Sequence, residues 1–293
     1  MSRCPDAVAE STFVTNPSDT DLQRADGCGR IVVSCSEKGT CLTDVFQRAP
    51  IRIAFPAVTG APLEEAVLIN TTGGIAGGDW LECTVTALAN ASIAVTSQTA
   101  ERVYRALDRP AHVVTRLTAH AGARLAWLPQ ETIVFNSARI RRATEVELSS
   151  GAELLALEWL VLGRAAHGEQ VVDGYISDGW RVRKDDRLIW ADGFRIGDGA
   201  FPRLRARALL ADSKALATLI YFGPSLERRL EFVRNLAPFP QCHCAATSVG
   251  GLIIARFAAA TARDLKLALR RFLEQFSHEV GPGPFRVPKM WSC

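Results

Sequence analysis

The chain has 293 residues, of which 48% are apolar and 22% are charged, and its 34 basic and 31 acidic residues give a formal net charge of +3. A chain of this length and composition can bury a core without disulfides or structural metals, so disorder along its whole length is excluded. The basic residues form no continuous stripe, which argues against a nucleic-acid-binding protein.

Targeting and membrane signals are missing from the sequence. The N-terminal residues lack the apolar core of a secretory signal peptide. The longest stretches without acidic or basic side chains, residues 83–100 and 236–255, are too polar to cross a membrane. The eight cysteines form no CxxC pair, and we expect them to stay reduced. These features predict a soluble, cytoplasmic protein without membrane or nucleic-acid partners.

The chain divides into a short tail and one domain. Residues 1–28 are polar and rich in turn-forming residues, which predicts a flexible N-terminal tail. We expect a single domain over residues 29–293. Its parts are a β body over about residues 29–205, an α/β cap over about residues 206–280 and a C-terminal tail over residues 281–293.

Short strands with one buried face are predicted through most of the domain. Apolar and polar side chains alternate over residues 51–55, 81–87, 112–119 and 145–148. A helical period appears only near the end of the chain. The fold class predicted from this pattern is mainly β.

An internal repeat supports a particular arrangement of these strands. Residues 85–95 match residues 117–127 at five of the eleven positions with an offset of 32 residues, and residues 148–154 form a looser third copy. A fixed period of this kind predicts stacked β coils, that is, a β-helix-like or solenoid-like body. Gln98 and Gln130 keep the same offset and should then be neighbours. The alternative is a chance likeness between alanine-rich hairpins.

Two α-helices are predicted in the last third of the chain. The first covers residues 226–236 and follows Ser225, a residue type that favours the N-cap position. The second carries the apolar residues of 265–276. It begins with a capping box formed by Thr261 and Asp264.

A Cys-His-Cys cluster lies between the two helices, where residues 242–257 predict two strands around a pair of glycines. In an extended strand Cys242 and Cys244 share one face and His243 lies on the other, so one strand cannot close all three around a metal. We interpret them as packing or surface residues. An incidental site for a soft metal remains the alternative.

A glycine-rich segment is the sharpest local motif. Residues 73–79 read GGIAGGD between two predicted strands, 66–70 and 81–88. A phosphate-binding loop would need a lysine or a following helix, and Asp79 would repel a phosphate. Four glycines in six residues allow a very close approach of neighbouring backbone, which predicts a tight corner between coils. Asp79 is an additional candidate for a functional carboxylate.

A lone acidic residue, Glu158, interrupts the apolar run of residues 154–162. A buried carboxylate is costly unless it is paired. Glu158 is therefore either paired with an arginine such as Arg164 or lines a polar cavity, and Glu131 poses the same question more weakly. Two such acids could serve a hydrolase as an acid/base pair, but nothing in the sequence fixes their separation.

Six short motifs occur in a fixed order along the chain. They are FQRAPIR at 46–52, LINTTGGIAGGD at 68–79, VYR at 103–105, WLPQETI at 127–133, LGR at 162–164 and PKMW at 288–291. Together they resemble the family of the urease accessory protein UreD, called UreH in some organisms, over about residues 29–293. Two departures are Lys289-Met290 in place of the usual Arg-Ile, and Trp80 directly after the GGD.

This resemblance implies a β-helix-like body with two C-terminal α-helices and a function without catalysis. Members of the family are maturation factors, that is, scaffolds or chaperones for metallocentre assembly. The resemblance implies binding to the urease apoprotein and to UreF, and through UreF to the GTPase UreG. It also implies passage of Ni²⁺ to the urease active site through the protein's interior, with transient Ni²⁺ and no tightly bound cofactor.

Under this interpretation the acidic residues become candidates to line the passage. Oxygen and water ligands exchange faster than a closed thiolate cage, and carboxylates lower the cost of moving a divalent cation through protein. Asp79, inside a matched motif, and Glu158, inside the apolar run of residues 154–162, are favoured; the full set is Asp79, Glu101, Glu131, Glu158 and Asp192. The alternative function is a β-solenoid hydrolase that uses Glu131 and Glu158.

Overall fold

The computed structural model describes residues 24–56, 63–236 and 239–292. The predicted tail over residues 1–28 lies mostly outside these ranges. The strands are β1 (Asp26–Ser36), β2 (Gly39–Arg48), β3 (Ile51–Ala54), β4 (Glu65–Asn70), β5 (Trp80–Ala87), β6 (Ser92–Ser97), β7 (Glu101–Val103), β8 (Ala111–Ala119), β9 (Arg124–Trp127), β10 (Thr132–Val134), β11 (Arg139–Leu148), β12 (Glu153–Leu162), β13 (Tyr175–Lys184), β14 (Arg187–Ile196), β15 (Ala215–Phe222), β16 (Cys242–Val249) and β17 (Leu252–Ala259). The helices are α1 (Leu226–Asn235) and α2 (Ala262–Val280), with short 3₁₀ helices at Ala165–His167, Phe201–Arg205 and Lys289–Ser292.

The strands form two facing sheets of a solenoid. One sheet has the order β14–β13–β11–β8–β5–β1–β2, and the other runs β16–β17–β15–β12–β9–β6–β4–β3, with β7 and β10 attached beside it. Four successive turns of the described chain each place one strand in each sheet, and neighbouring turns pair in parallel. The predicted mainly-β, solenoid-like fold with two C-terminal helices is confirmed.

The strand register follows the sequence repeat. Val85 pairs with Leu117 across β5 and β8, so the offset of 32 residues is the length of one coil. In the third copy, Leu154 pairs with Leu125 across β12 and β9. Gln98 and Gln130 line the same cavity, which is the outcome that stacked coils predict for them.

Three apolar clusters hold the body together. Two lie between the two sheets, and the third lies between the outer face of the larger sheet and the helices, where Phe272 and Phe276 are fully buried. Strand β15 pairs with β12, β17 pairs with β15 and β16 pairs with β17, so these three strands extend that sheet. The predicted cap over residues 206–280 is therefore continuous with the β body, and its helices cover one face of that body.

The helix ends differ in their capping. Thr261 has extended backbone, and its hydroxyl oxygen accepts a hydrogen bond from the Asp264 N–H at 3.1 Å, as the capping box predicts. Ser225 occupies the N-cap position of α1, but its φ of 54° is left-handed and its side chain makes no capping hydrogen bond. The helices were therefore predicted correctly, while the role of the Ser225 side chain was not.

Specific contacts hold both ends of the described domain. Strand β1 begins at Asp26, three residues before the predicted start of the domain. At the other end, Trp291 is only 3% exposed, and its indole N–H donates to the Leu128 carbonyl at 3.1 Å. The Gln130 side-chain amide donates to the Met290 carbonyl at 2.6 Å. The WLPQE motif therefore anchors the C-terminal segment.

The glycine-rich segment is a tight corner between coils, as predicted. A Cβ on Gly74 would lie 2.8 Å from the Arg102 carbonyl oxygen, and one on Gly77 would lie 2.6 Å from the Arg109 carbonyl oxygen. Both oxygens belong to the backbone of the next coil, so they cannot move aside as a flexible side chain could. These positions need glycine because the coils approach too closely for any side chain.

Gly77→Ala should destabilise the protein by about 1–3 kcal/mol, the usual cost of overpacking a tight contact. Gly197→Ala is the matched control, because nothing lies within 4 Å of its Cβ position, and it should stay within about 0.5 kcal/mol of the wild type. Urea unfolding of both variants measures the difference. Equal stability of the two variants would contradict the close-approach argument.

Candidate functional site

A cavity of about 110 Å³ lies between the two sheets, large enough for several water molecules. Both sheets contribute to its walls. Its lining combines acidic, polar and apolar residues, including Ile51, Leu68, Asn70, Cys83, Gln98, Glu101, Val113, Thr115, Trp127, Gln130, Thr132, Arg142 and Glu158.

Glu158 projects into this cavity from β12. Its carboxylate accepts a hydrogen bond from the Trp127 indole N–H at 2.8 Å and forms an ion pair with the Arg142 guanidinium at 2.7 Å. Both predicted alternatives are therefore correct, because Glu158 is paired with an arginine and also lines a cavity. The predicted partner was wrong, because Arg164 pairs with Glu169 at 2.9 Å instead.

Arg142 holds a second carboxylate as well. Its Nε and Nη2 donate to the two oxygens of Asp178 at 3.0 and 2.5 Å, and its Nη1 donates to the Thr132 hydroxyl at 3.2 Å. The cluster of Glu158, Arg142 and Asp178 thus contains two carboxylates and one guanidinium. With all three ionised, its net charge is −1. Neither Arg142 nor Asp178 was among the residues predicted from the sequence.

The pKa values in the cluster follow from burial and pairing. Burial raises the pKa of Glu158, and the adjacent Arg142 guanidinium opposes that rise. Burial alone would lower the pKa of Arg142, but the Asp178 and Glu158 carboxylates outweigh it and raise that pKa above its usual range. The guanidinium therefore stays charged at every physiological pH.

Glu101 is a second acidic group at the same cavity. Its carboxylate accepts a hydrogen bond from the Asn70 side-chain amide at 2.9 Å. Burial raises the pKa of Glu101 to about 7, with the Asn70 hydrogen bond acting in the opposite direction. Glu101 can therefore exchange a proton near neutral pH, and an approaching cation would favour its ionised form.

Asp79 lies outside this cavity. Its two carboxylate oxygens accept hydrogen bonds from the backbone N–H groups of Ala25 and Ala76 at 2.9 and 2.7 Å. These bonds tie the start of the chain's first strand to the glycine-rich corner. The Asp79 carboxylate is thus committed to backbone donors.

The remaining two acidic candidates also lie away from the cavity. Asp192 forms an ion pair with Arg256 at 2.6 Å. Glu131 is not among the residues of the cavity wall, and its Oε2 is buried without a hydrogen-bond partner among the described residues. Of the five predicted acids, the cavity brings together Glu101 and Glu158. It does not unite Glu131 with Glu158, as a hydrolase using that pair would need.

The cysteines contribute one group to the cavity wall. Burial raises the pKa of the Cys83 thiol well above its usual range, so the thiol is protonated at neutral pH. In β16, Cys242 is buried and His243 is exposed, as strand alternation predicts. No group of three or more His, Cys, Asp or Glu side chains suited to holding a metal occurs in the described ranges.

Comparison with known proteins decides the family. A family model described as UreD urease accessory protein matches residues 25–292. The chain belongs to the UreD family. It is 38% identical over 270 residues to the urease accessory protein UreD of Xanthobacter autotrophicus, covering 92% of this chain and 91% of the relative. The UreD of Chelativorans sp. is 35% identical over 281 residues, covering 96% and 99%, and that of Rhizobium etli is 38% identical over 273 residues, covering 93% and 97%.

Membership of the UreD family gives the chain a role in urease maturation. The relatives are accessory proteins by name, which fits a function without catalysis. A membrane-spanning helix, long and apolar enough, does not occur in the part of the chain that the structure describes.

The buried cluster predicts an order of stability among three substitutions. Arg142→Met leaves two buried carboxylates without their partner and should cost about 3–5 kcal/mol. Glu158→Gln keeps the Arg142–Asp178 pair and should cost about 1–3 kcal/mol. Glu147→Gln, at an exposed pair with Arg183, should cost under about 1 kcal/mol. Free energies of unfolding in urea test this order, and an Arg142→Met variant as stable as Glu147→Gln would contradict it.

The raised pKa of Glu101 predicts a pH dependence of stability. The folded state binds the proton more tightly than the unfolded state, so stability falls as pH rises from about 4.5 to about 7. Glu101→Gln removes this loss, and its stability relative to the wild type should rise by up to about 3 kcal/mol across that window. Urea unfolding at both ends of the window measures the change. A difference in the free energy of unfolding that is the same at both pH values would contradict the raised pKa of Glu101.

Proposed function

We propose that this protein passes Ni²⁺ towards the urease active site through its interior, and that the cavity between the sheets is part of the route. The observation that carries the proposal is the convergence of Glu101 and Glu158 on one cavity inside the solenoid. The ion is the protein's cargo, and no resident cofactor is part of the proposal.

The groups on the cavity wall suit an ion in transit. Glu101, Glu158 and the hydroxyl groups of Thr115 and Thr132 offer oxygen atoms, which together with water are ligands that exchange quickly. Burial raises the pKa of the Cys83 thiol, so the metal-free cavity presents a neutral thiol and no thiolate. The wall attracts a divalent cation without providing a soft, closed site.

Arg142 tunes the strength of this attraction. It occupies one oxygen of Glu158 and both oxygens of Asp178, so a cation has to compete with a fixed positive charge. With all three groups ionised, the net charge of −1 in the cluster lowers the cost of bringing a cation into the interior. The guanidinium at the same time prevents the two carboxylates from closing around the ion, which favours passage over storage.

The partners belong to the same proposal. The UreD family supports binding to the urease apoprotein and to UreF, and through UreF to the GTPase UreG. In this assembly the protein acts as a scaffold or chaperone in the cytoplasm. The interior route then needs openings that face the partners at its two ends.

The test is the nickel content of urease after activation with variants of this protein. Glu101→Gln and Glu158→Gln remove the charge that attracts the cation while keeping the side-chain size. Each should reduce the nickel content of urease to less than half of the wild-type value, because the cation loses a favourable carboxylate in the cavity. Metal analysis of purified urease gives the readout.

Complex formation and folding are checked alongside. Glu274→Gln, at an exposed pair with Arg270 on α2, is the control and should support full nickel loading. Recovery of each variant with UreF and urease separates passage from assembly. Full nickel loading with both cavity variants would exclude the route, and loss of the complex would assign these residues to assembly instead.

A further inference from the structure

The outer face of the smaller sheet carries a row of aromatic and basic side chains. In register across β5, β8, β11, β13 and β14, the opposed residues are Trp80, His112, Arg141, Ser177 and Arg195. Tyr175 lies two residues before Ser177 on the same face of β13. We call Trp80, His112, Arg141, Tyr175 and Arg195 the aromatic–arginine row.

One end of the row is an exposed aromatic platform. Trp80 is 43% exposed, and its ring stacks on His112 with the centroids 5.0 Å apart and the planes at 17°. Burial and the nearby Arg141 guanidinium lower the pKa of His112, so the imidazole is neutral near pH 7. The other five tryptophans of the chain are buried: Trp127, Trp159, Trp180, Trp190 and Trp291.

The other end of the row has positive charge available. The guanidinium groups of Arg141 and Arg195 lie 5.5 and 5.4 Å from the centroid of the Tyr175 ring. Neither forms an ion pair with a carboxylate among residues 24–56, 63–236 and 239–292. Arg116 on the same face differs, because it is paired with both Glu82 and Glu145. The row thus combines two arginines that form no ion pair among the described residues with the exposed ring of Trp80, on which another ring can stack.

We propose that the aromatic–arginine row is a docking site for an acidic segment of a partner protein that carries an aromatic side chain. Carboxylates of the segment bind Arg141 and Arg195, and its aromatic ring stacks on Trp80. A hot spot of tryptophan, tyrosine and arginine is the usual composition of such interface centres. The inference is independent of the nickel route, since it concerns the opposite face of this sheet.

A protein segment fits this face better than a nucleic acid. Further along the strands, the same face carries Glu147 and also Glu82 and Glu145, which share the single cation of Arg116. A long polyanion that lies along the strands would meet these carboxylates, whereas a short acidic segment contacts only the row. The low net charge of +3 also gives little general attraction for a polyanion.

Trp80 provides a site-specific readout because it is the exposed tryptophan. The experiment measures acrylamide quenching of tryptophan fluorescence in the full chain, with Trp80→Phe identifying the signal of this residue. The probe is a random copolymer of glutamate and tyrosine, compared with a single-stranded oligothymidylate. We expect the copolymer to reduce quenching of Trp80 at least about twofold and added salt to reverse the effect, since the contacts are electrostatic and exposed.

Variants separate the row from the rest of the face. The double variant Arg141→Gln/Arg195→Gln should lose the protection, while Arg181→Gln, an exposed arginine further along β13, should keep it. Stronger protection by oligothymidylate than by the copolymer would overturn the proposal in favour of a nucleic-acid site. Protection by neither probe would also overturn it. Increased quenching of Trp80 in the double variant without any probe would overturn it as well. A segment of this chain would then already occupy the row in the wild-type protein.

Discussion

The Arg142 guanidinium joins the two sheets of the solenoid at the point where the interior is polar. It reaches from β11 to Glu158 on the facing sheet and to Asp178 on the neighbouring strand β13. Without this cation, two buried carboxylates would lose their charged partner, at a cost of about 3–5 kcal/mol. The cavity, its net negative charge and the orientation of Glu158 all depend on this arginine.

The repeat and the alternation of apolar residues determine most of the fold. The offset of 32 residues is visible in the sequence and reappears as the register between β5 and β8, because parallel stacking brings equivalent residues of successive coils side by side. The partner of Glu158 is harder to predict from the sequence. Arg142 follows Ile140 and precedes Thr144 and Val146 on the inward face of β11, so alternation alone places it inside. Its pairing across the sheets requires the three-dimensional arrangement, which favoured a partner 16 residues upstream over the nearby Arg164.

The family motifs divide into two physical roles. The glycine-rich corner with Asp79 and the WLPQE motif with Trp291 are contacts that close the solenoid, through backbone hydrogen bonds and a buried indole. Asn70 of the glycine-rich motif and Trp127 and Gln130 of the WLPQE motif line the cavity. Motif membership therefore identified important residues without separating those that hold the fold from those that shape the interior. Burial and hydrogen-bond partners make that separation, and they move Asp79 to the first group.

Passage through the interior requires that nickel reside for a time between the two sheets of the solenoid. Anomalous X-ray scattering at the nickel absorption edge tests this directly, using crystals of the full chain soaked in Ni²⁺. We expect an anomalous peak inside the cavity, between the carboxylates of Glu101 and Glu158. Nickel bound only at surface groups such as His243, with no anomalous signal between the two sheets, would contradict it.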